Sequence, residues 1–96
     1  MPNFRITAKA KEDLKEIAKF TEKNWGREKR NHYLKEFDQV FRQLAGNTKL
    51  GTECEFIRPG YRFFPVGSHL VFYKSGIDSV VEVIRINLGS DPKLLQ

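Results

Sequence analysis

The stretch Tyr61–Lys74, which reads YRFFPVGSHLVFYK, decides the fold of this 96-residue chain. Two runs rich in aromatic and β-branched residues flank Gly67-Ser68, a pattern typical of a β-hairpin closed by a two-residue turn. The turn sets the register. It places Val66 opposite His69, which in turn places Phe64 opposite Val71 and Arg62 opposite Tyr73. Pro65 has no backbone N–H, so it must stand where the ladder needs no donor, which favours an edge strand or a strand frayed at its turn end.

Upstream of the hairpin, two stretches predict helices. Apolar or small residues recur at steps of three and four in both, which marks one face of a helix. They are Leu14, Ile17, Ala18, Thr21 and Trp25 in the first stretch, and Tyr33, Phe37, Val40, Phe41 and Leu44 in the second. Thr7 offers an N-cap oxygen, Gly26 stops the first helix and Gly46-Asn47 ends the second. Each helix needs its apolar stripe covered, so we expect an αα-hairpin with Trp25 as a core anchor at its corner.

The remaining segments complete an α+β pattern. Asn3–Ile6 is predicted to be a short strand, Val80–Ile86 a strong strand, and residues 47–60 a loop whose length makes it a functional candidate. The order is β-α-α-β-β-β, which predicts a mostly antiparallel sheet with the N-terminal helical hairpin packed on one face. We expect a single domain over residues 1–96.

The hairpin register divides its side chains between two sheet faces. The first face is wholly apolar and is the predicted seat of the helices; it carries Phe63, Pro65, Leu70 and Phe72. The second face carries Arg62, His69 and Tyr73 among Phe64, Val66 and Val71. Arg85 joins this second face if its neighbours Ile84 and Ile86 point at the helices, and a register slip of one residue would undo the grouping.

Two arginines, a tyrosine and a histidine on an open face suit an anionic ligand. Arg62 and Arg85 offer forked donors for phosphate or carboxylate, Tyr73 can stack on a base, and His69 can act as general acid or base. Together these groups have the chemistry for RNA cleavage. The residues alone leave three interpretations open: a solvated sheet face, a protein-binding surface and an RNA-cleaving site.

Charge and composition narrow the function classes. The chain has 17 basic and 12 acidic residues, a net charge of +5, which fits nucleic acid or an acidic protein as partner. Most of the excess lies in the first 45 residues, where charges alternate in sign, so we interpret it mainly as a solvated helix surface.

Few residues are available for disulfides or metals. Cys54 is the single cysteine, interpreted as an inert thiol, which excludes a disulfide within the chain and fits a reducing cytoplasm. One cysteine with the separated His32 and His69 cannot build a metal site, and no cofactor is predicted. The N-terminus has no secretory pattern and no apolar run reaches the length of a membrane span, so we expect a cytoplasmic protein without a membrane partner.

These residues resemble the ParE-type toxins of bacterial type II toxin–antitoxin systems, within the RelE/ParE superfamily. The resemblance runs from about Phe4 to Ile86. Its most specific carriers are Ile57-Arg58-Pro59-Gly60-Tyr61-Arg62, Gly67-Ser68-His69-Leu70-Val71-Phe72-Tyr73 and Val83-Ile84-Arg85-Ile86. Weaker carriers are Ala10, Asp13, Leu14 and Ile17 in an Ala-x-x-Asp-Leu-x-x-Ile run, Trp25-Gly26, and the pair Tyr33 and Phe37.

The resemblance implies a toxin that poisons DNA gyrase by protein–protein contact, is not an enzyme and binds no specific DNA sequence by itself. It also implies a ParD-like antitoxin that lays an amphipathic helix in an apolar groove. Candidate groove residues are Leu14, Ile17, Phe20 and Phe37. Candidate contacts to gyrase or the antitoxin are Arg58, Tyr61, Arg62, His69, Tyr73 and Arg85. The RelE branch suggests the alternative, a ribosome-dependent mRNA endonuclease with Arg62, His69, Tyr73 and Arg85 as catalytic residues.

The C-terminal tail departs from the family pattern. Family members usually continue the last strand as Arg-Ile-Leu-His and then reach a Met-Asp pair. Here Arg85-Ile86 is followed by Asn87-Leu88-Gly89, and the tail to Gln96 has neither element. Because the C-terminal region is implicated in family toxicity, a further alternative is an inactive homologue that only binds the antitoxin.

Overall fold

The computed structural model describes residues 3–76, 78 and 80–89. They form β1 (Phe4–Ile6), α1 (Ala8–Trp25), α2 (Arg27–Gly46), a 3₁₀ turn (Thr48–Leu50), β2 (Thr52–Glu53), β3 (Tyr61–Val66), β4 (His69–Ser75) and β5 (Val81–Leu88). The five strands lie in the order β1-β5-β4-β3-β2, with β1 parallel to β5 and all other pairs antiparallel. The α+β class and the helical hairpin after the first strand are confirmed. Strand β2 lies in the predicted loop and was not predicted, and β5 extends two residues beyond its predicted end.

Local signals account for both helices. Thr7 caps α1, because its hydroxyl accepts the Ala10 N–H at 3.2 Å and donates to the Ile84 carbonyl of β5 at 3.0 Å. Gly26 ends α1 at a φ of 95°, which glycine adopts without steric cost, and α2 begins at the next residue. The chain therefore reverses within one residue, and the two helices lie side by side on the sheet.

The hairpin register is confirmed. Val66 pairs with His69, and the five pairs behind it follow in step to Tyr61 and Lys74. Gly67 takes a φ of 57° in the turn, and a Cβ at this position would lie 2.6 Å from the Tyr33 hydroxyl of α2. The turn therefore packs directly under α2, and only glycine fits there.

The predicted seat of the helices is wrong. The helices cover the other hairpin face, and the core that they form with it contains Ala10, Ile17, Phe37, Phe41, Leu44, Val66, Val71, Tyr73, Val81, Val83 and Ile86. Phe63 and Phe72 face away from the helices and contact each other, with ring centroids 6.1 Å apart. Both hairpin faces are rich in aromatic and aliphatic residues, so local hydrophobicity did not decide which face the helices would cover.

Arg85 lies on the opposite sheet face from the residues with which it was grouped. Ile86 belongs to the core, and Arg85 lies opposite the outward-facing Phe72, so Arg85 is on the face away from the helices, as the alternation with Ile86 predicts. Arg62, His69 and Tyr73 belong to the helix-covered face, so the predicted grouping is wrong because the helices were expected on the other face. A β-bulge follows directly, since Tyr73 lies opposite Val83 and β5 has one extra residue there.

Most of the divergent tail lies outside the described residues. Asn87 and Leu88 extend β5 and Gly89 forms a turn, while residues 90–96 are not among those described. Among residues 3–76, 78 and 80–89, no helix combines the length and the apolar character needed to cross a membrane.

Candidate partner-binding site

Tyr73 lies in the protein interior and not on an open face. Its side chain is fully buried, and its hydroxyl donates to the Thr48 carbonyl at 2.8 Å and accepts the Gly51 N–H at 2.8 Å. Burial raises the pKa of the Tyr73 hydroxyl, and the nearby Arg62 guanidinium offsets this only partly. The predicted role of Tyr73 in stacking on a base or contacting a partner requires an exposed ring, which this position does not provide.

Arg62 completes what we call the Tyr73 cluster, formed by Tyr73, Arg62, Thr48, Gly51 and Glu53. The Arg62 guanidinium donates to the Gly51 carbonyl at 2.8 Å and to the Glu53 carboxylate at 3.0 Å. A Cβ at Gly51 would collide with the Tyr73 hydroxyl. The cluster therefore fixes the segment between α2 and β3, and its arginine is engaged within the chain.

Arg85 is likewise engaged, at the edge of β5. It donates to both carboxylate oxygens of Asp13 in α1, at 2.9 and 3.2 Å, and Asp13 also accepts the Ile86 N–H at 2.9 Å. Because β1 pairs with β5 only as far as Val83, the Asp13 carboxylate occupies the part of the β5 edge that β1 leaves uncovered. Asp13 thus holds both the strand and the arginine.

Arg58 and Tyr61 lie at the loop between β2 and β3, residues 54–60. The Cys54 N–H donates to the Tyr61 carbonyl at 2.9 Å, and the Ile57 N–H donates to the Cys54 carbonyl at 2.9 Å, so the loop is closed at its base. Cys54 is buried beneath it, and burial raises the pKa of its thiol. Arg58 is exposed, and Phe56 projects with 75% of its surface exposed. The sequence analysis did not single out Phe56.

A concave surface, here called the hairpin groove, lies between α1, α2 and the β3–β4 turn. It has a volume of about 400 Å³. Its walls and rim are formed by Phe20, Thr21, Trp25, Lys29, His32, Tyr33, Glu36, Ser68 and His69. Trp25 is 69% exposed and Phe20 64%, so the prediction that Trp25 anchors the core is wrong. Large apolar side chains exposed beside a concavity are typical of a protein-binding surface.

Only one of the four candidate groove residues lines the groove. Phe20 lines the groove, whereas Ile17 and Phe37 belong to the core and Leu14 packs against it. Tyr33, predicted on the apolar stripe of the second helix but not as a groove residue, lies in the groove, and its ring packs at a tilt against Phe37 with centroids 4.8 Å apart. Helical periodicity identified the apolar stripe, but it does not tell which of its members another element covers.

His69 is the one candidate contact residue that lies in the groove. Its Nδ1 lies 2.7 Å from the Tyr33 hydroxyl, which itself donates to the Val66 carbonyl at 2.8 Å. Burial lowers the pKa of His69, so the imidazole is neutral at pH 7. Burial also raises the pKa of Tyr33, although hydrogen bonds from Ser68 oppose this. Within the described residues, no three His, Cys, Asp or Glu side chains form a metal site.

Comparison with known proteins shows which family the chain belongs to. The family model described as the ParE toxin of the type II toxin–antitoxin system, parDE, matches residues 4–92. This chain belongs to the ParE toxin family. Toxin ParE1 of Caulobacter vibrioides is 36% identical over 86 residues, which are 90% of this chain and 88% of that protein. Toxin ParE1 of Mycobacterium tuberculosis is 32% identical over 83 residues, covering 86% and 85% respectively.

A solved structure shares the ParE fold. A chain described as the chromosomal ParDE toxin–antitoxin system from P. aeruginosa aligns with a TM-score of 0.76, covering 92% of this chain and 96% of its own. At 19% identity this match speaks for the fold alone. Among the described residues, the exposed apolar side chains of this ParE chain include Phe20 and Trp25 at the hairpin groove and Phe56 in the loop 54–60.

The end of the helical hairpin concentrates positive charge beside the groove of this ParE chain. Residues 19–30 contain five basic and two acidic side chains. Their net charge of +3 is more than half of the net charge of +5 of the chain. Glu22 pairs with Arg30 at 2.6 Å and with Arg27 at 3.6 Å. Lys29 lies at the groove rim. The groove therefore favours an acidic, apolar partner over a basic one.

Proposed function

We propose that this chain poisons DNA gyrase through protein–protein contact, that it does so without catalysis, and that a ParD-like antitoxin neutralises it in the cytoplasm. Membership of the ParE family carries the proposal. We treat residues 1–96 as one toxin domain that needs no cofactor.

The engaged state of the basic side chains supports a non-enzymatic mechanism. RNA cleavage of the RelE type needs cations and a tyrosine that can reach the scissile phosphate. Here Arg62 is held by Gly51 and Glu53, Arg85 by Asp13, and Tyr73 is fully buried. Freeing these groups would break hydrogen bonds that hold the fold, so a nuclease role has little structural support.

The shape and charge of the hairpin groove support antitoxin binding there. A groove between two helices accepts the apolar face of an amphipathic helix. Phe20 and Trp25 supply the exposed apolar surface, and the basic end of the hairpin attracts an acidic chain. We therefore assign the groove to the antitoxin.

The loop 54–60 is the proposed contact with gyrase. The loop exposes an aromatic side chain that can enter a cleft in a large folded enzyme, and its closed base means that little conformational entropy is lost when it docks. Phe56 would enter an apolar pocket while Arg58 pairs with a carboxylate. Strand β3, about 20 Å long, separates this loop from the turn beside the groove, so the two partners need not compete for one surface.

A gyrase cleavage assay tests the proposal. Gyrase, supercoiled plasmid and the purified chain are incubated, and the reaction is stopped with detergent and protease to reveal broken DNA. We expect the wild-type chain and Leu50→Ser to accumulate linear plasmid and Phe56→Ser to lose this effect. Leu50 is the matched control, because it is an exposed apolar residue outside the loop.

Two further arms separate the alternatives. Trp25→Ala should still poison gyrase, but the antitoxin should no longer rescue it. Ribosomes programmed with mRNA should show no cuts; cuts without any effect on gyrase contradict the proposal and favour the nuclease. If the chain causes neither gyrase-dependent DNA cleavage nor mRNA cleavage but still binds the antitoxin, it is an inactive homologue.

A further inference from the structure

The hydrogen bonds around Tyr33 fix which nitrogen of His69 carries the proton. The Tyr33 hydroxyl has one hydrogen, and it is donated to the Val66 carbonyl, which can only accept. The short contact of 2.7 Å between the hydroxyl and His69 Nδ1 then requires the hydrogen to come from Nδ1. His69 is therefore the Nδ1–H tautomer, and its Nε2 carries a free lone pair.

That lone pair is open to the groove. Nε2 has no hydrogen-bond partner among the described residues, yet every buried side-chain nitrogen or oxygen of those residues is paired. Nε2 must therefore be accessible from solvent, and the imidazole lines the hairpin groove. The groove is thus an apolar surface with a neutral hydrogen-bond acceptor in its wall.

We propose that His69 determines which partner segment the groove accepts: its Nε2 accepts a hydrogen bond from an N–H or O–H group on a large apolar side chain that enters beside Phe20 and Trp25. Tyr33 is the positioning residue that fixes the tautomer. The inference rests on the proposed function, and the occupant is a helical segment of the acidic antitoxin.

Charge and size support this occupant. The five basic and two acidic residues at positions 19–30 favour an acidic segment, and Lys29 at the rim can pair with one of its carboxylates. A volume of about 400 Å³ holds one large side chain with part of its helix. A carboxylate cannot take the central place, because it would oppose the Nε2 lone pair. A wholly apolar side chain would leave Nε2 buried without a donor.

Recognition of this kind depends on pH. Among the described residues, the charged or titratable side chains that line the groove with His69 are Tyr33, Lys29, His32 and Glu36, all on α2, and Tyr33 is the one in contact with it; the lining residues from α1 are Phe20, Thr21 and Trp25. Protonation of Nε2 removes the acceptor. Affinity is therefore constant around neutral pH and falls by up to about tenfold per pH unit below the lowered pKa of His69.

The first test measures affinity for the antitoxin encoded beside the toxin gene. His69→Phe keeps an aromatic ring but loses the acceptor, and we expect roughly tenfold or greater weakening and loss of the pH response. His69→Gln places Oε1 near the position of Nε2 and should recover part of the affinity without pH dependence. His32→Phe is the matched control, because it makes the same change in the same groove, where His32 already lies 3.3 Å from Glu36.

The second test needs no antitoxin and uses indole as probe. Indole has an N–H donor and benzofuran has the same shape without it, so titration of the labelled chain by NMR isolates the hydrogen bond. We expect indole to bind at least several-fold more tightly and to shift the His69 Nε2 resonance, with the free protein showing the Nδ1–H tautomer and Tyr33→Phe losing it. Absence of any preference for indole, or an Nε2–H tautomer in the free protein, overturns the inference.

The two tests separate two kinds of failure. If the antitoxin does not bind but indole is preferred, the proposed function fails while the acceptor role of His69 stands. If the antitoxin binds wild type and His69→Phe equally well at all pH values, the function stands and the inference is wrong.

Discussion

Two tyrosines in this molecule make similar hydrogen bonds in opposite surroundings. Tyr73 bridges Thr48 and Gly51 beneath the β2–β3 edge and is fully buried. Tyr33 bridges Val66 and His69 at the floor of the hairpin groove and remains partly exposed. In the Tyr73 cluster the hydroxyl is enclosed by its partners. In the groove the series of hydrogen bonds ends at His69, whose Nε2 is a free acceptor.

The difference shows how a fold can use one kind of contact for two purposes. The closed cluster adds stability, and its tyrosine hydroxyl is not available to a partner because both of its hydrogen bonds are made within the chain. The groove places its unmatched acceptor and its apolar side chains where a second protein can cover them. Substitutions in the cluster should therefore act mainly on folding, and substitutions in the groove mainly on binding.

Tyr73→Phe should cause the largest loss of stability. It leaves the buried Gly51 N–H without an acceptor and the Thr48 carbonyl without a donor, at a cost of about 3 kcal/mol in the free energy of unfolding. Thermal unfolding should shift down by roughly 10–20 °C. A shift of only a few degrees would show that water reaches the cluster and that it is not closed.

Trp25→Ala should weaken antitoxin binding and leave stability almost unchanged, the opposite of Tyr73→Phe. The side chain is 69% exposed, so the free energy of unfolding should change by less than about 0.5 kcal/mol. Affinity for the antitoxin should fall by about 2 kcal/mol or more, roughly 30-fold, as expected for an aromatic anchor at the centre of an interface. Calorimetric titration of Tyr73→Phe and of Trp25→Ala with the antitoxin measures the two affinities. A Trp25 variant that unfolds early but binds normally would assign Trp25 to the fold.

The sequence predicted the features that are encoded locally. Gly67-Ser68 fixed the hairpin register, and Thr7 and Gly26 fixed the ends of α1. The covered face was not predictable, because both hairpin faces are rich in apolar residues and the partners of the Tyr73 hydroxyl, in residues 48–51, lie more than 20 positions away. Arg85 was grouped with the wrong residues because the helices were expected on the other face; the bulge beside Tyr73, which no glycine or proline indicates, was not predicted either.

The candidate site was predictable to a smaller extent. His69 was identified as a functional residue, but by association with Arg62 and Tyr73, which are structural in the fold. Periodicity placed Trp25 on the apolar stripe of α1, but it cannot tell whether another element lies opposite. Tyr33 acquires its role only when the β3–β4 turn comes to rest under α2.

Tyr33→Phe makes the most direct comparison with Tyr73→Phe. Both remove one hydroxyl and keep the ring, but the partners of Tyr33 are only partly buried, so water in the groove can replace the lost bonds. We expect a loss of about 1 kcal/mol in the free energy of unfolding, measured by urea denaturation under the same conditions. Equal losses in the two variants would show that the groove is as closed as the cluster.

The smallest expected effect is a pH dependence of stability that originates in the groove. Burial lowers the pKa of His69 below its unfolded value of about 6.5, so the unfolded chain binds more protons in this range. The contribution of His69 to stability is therefore fully present above about pH 6.5 and is lost as the pH falls through the folded pKa. Subtracting the urea-derived stability of His69→Phe from that of wild type at each pH isolates this contribution. A difference that grows as the pH falls would mean that His69 gains a partner when charged, and the groove would then contain a cation site where the neutral acceptor is expected.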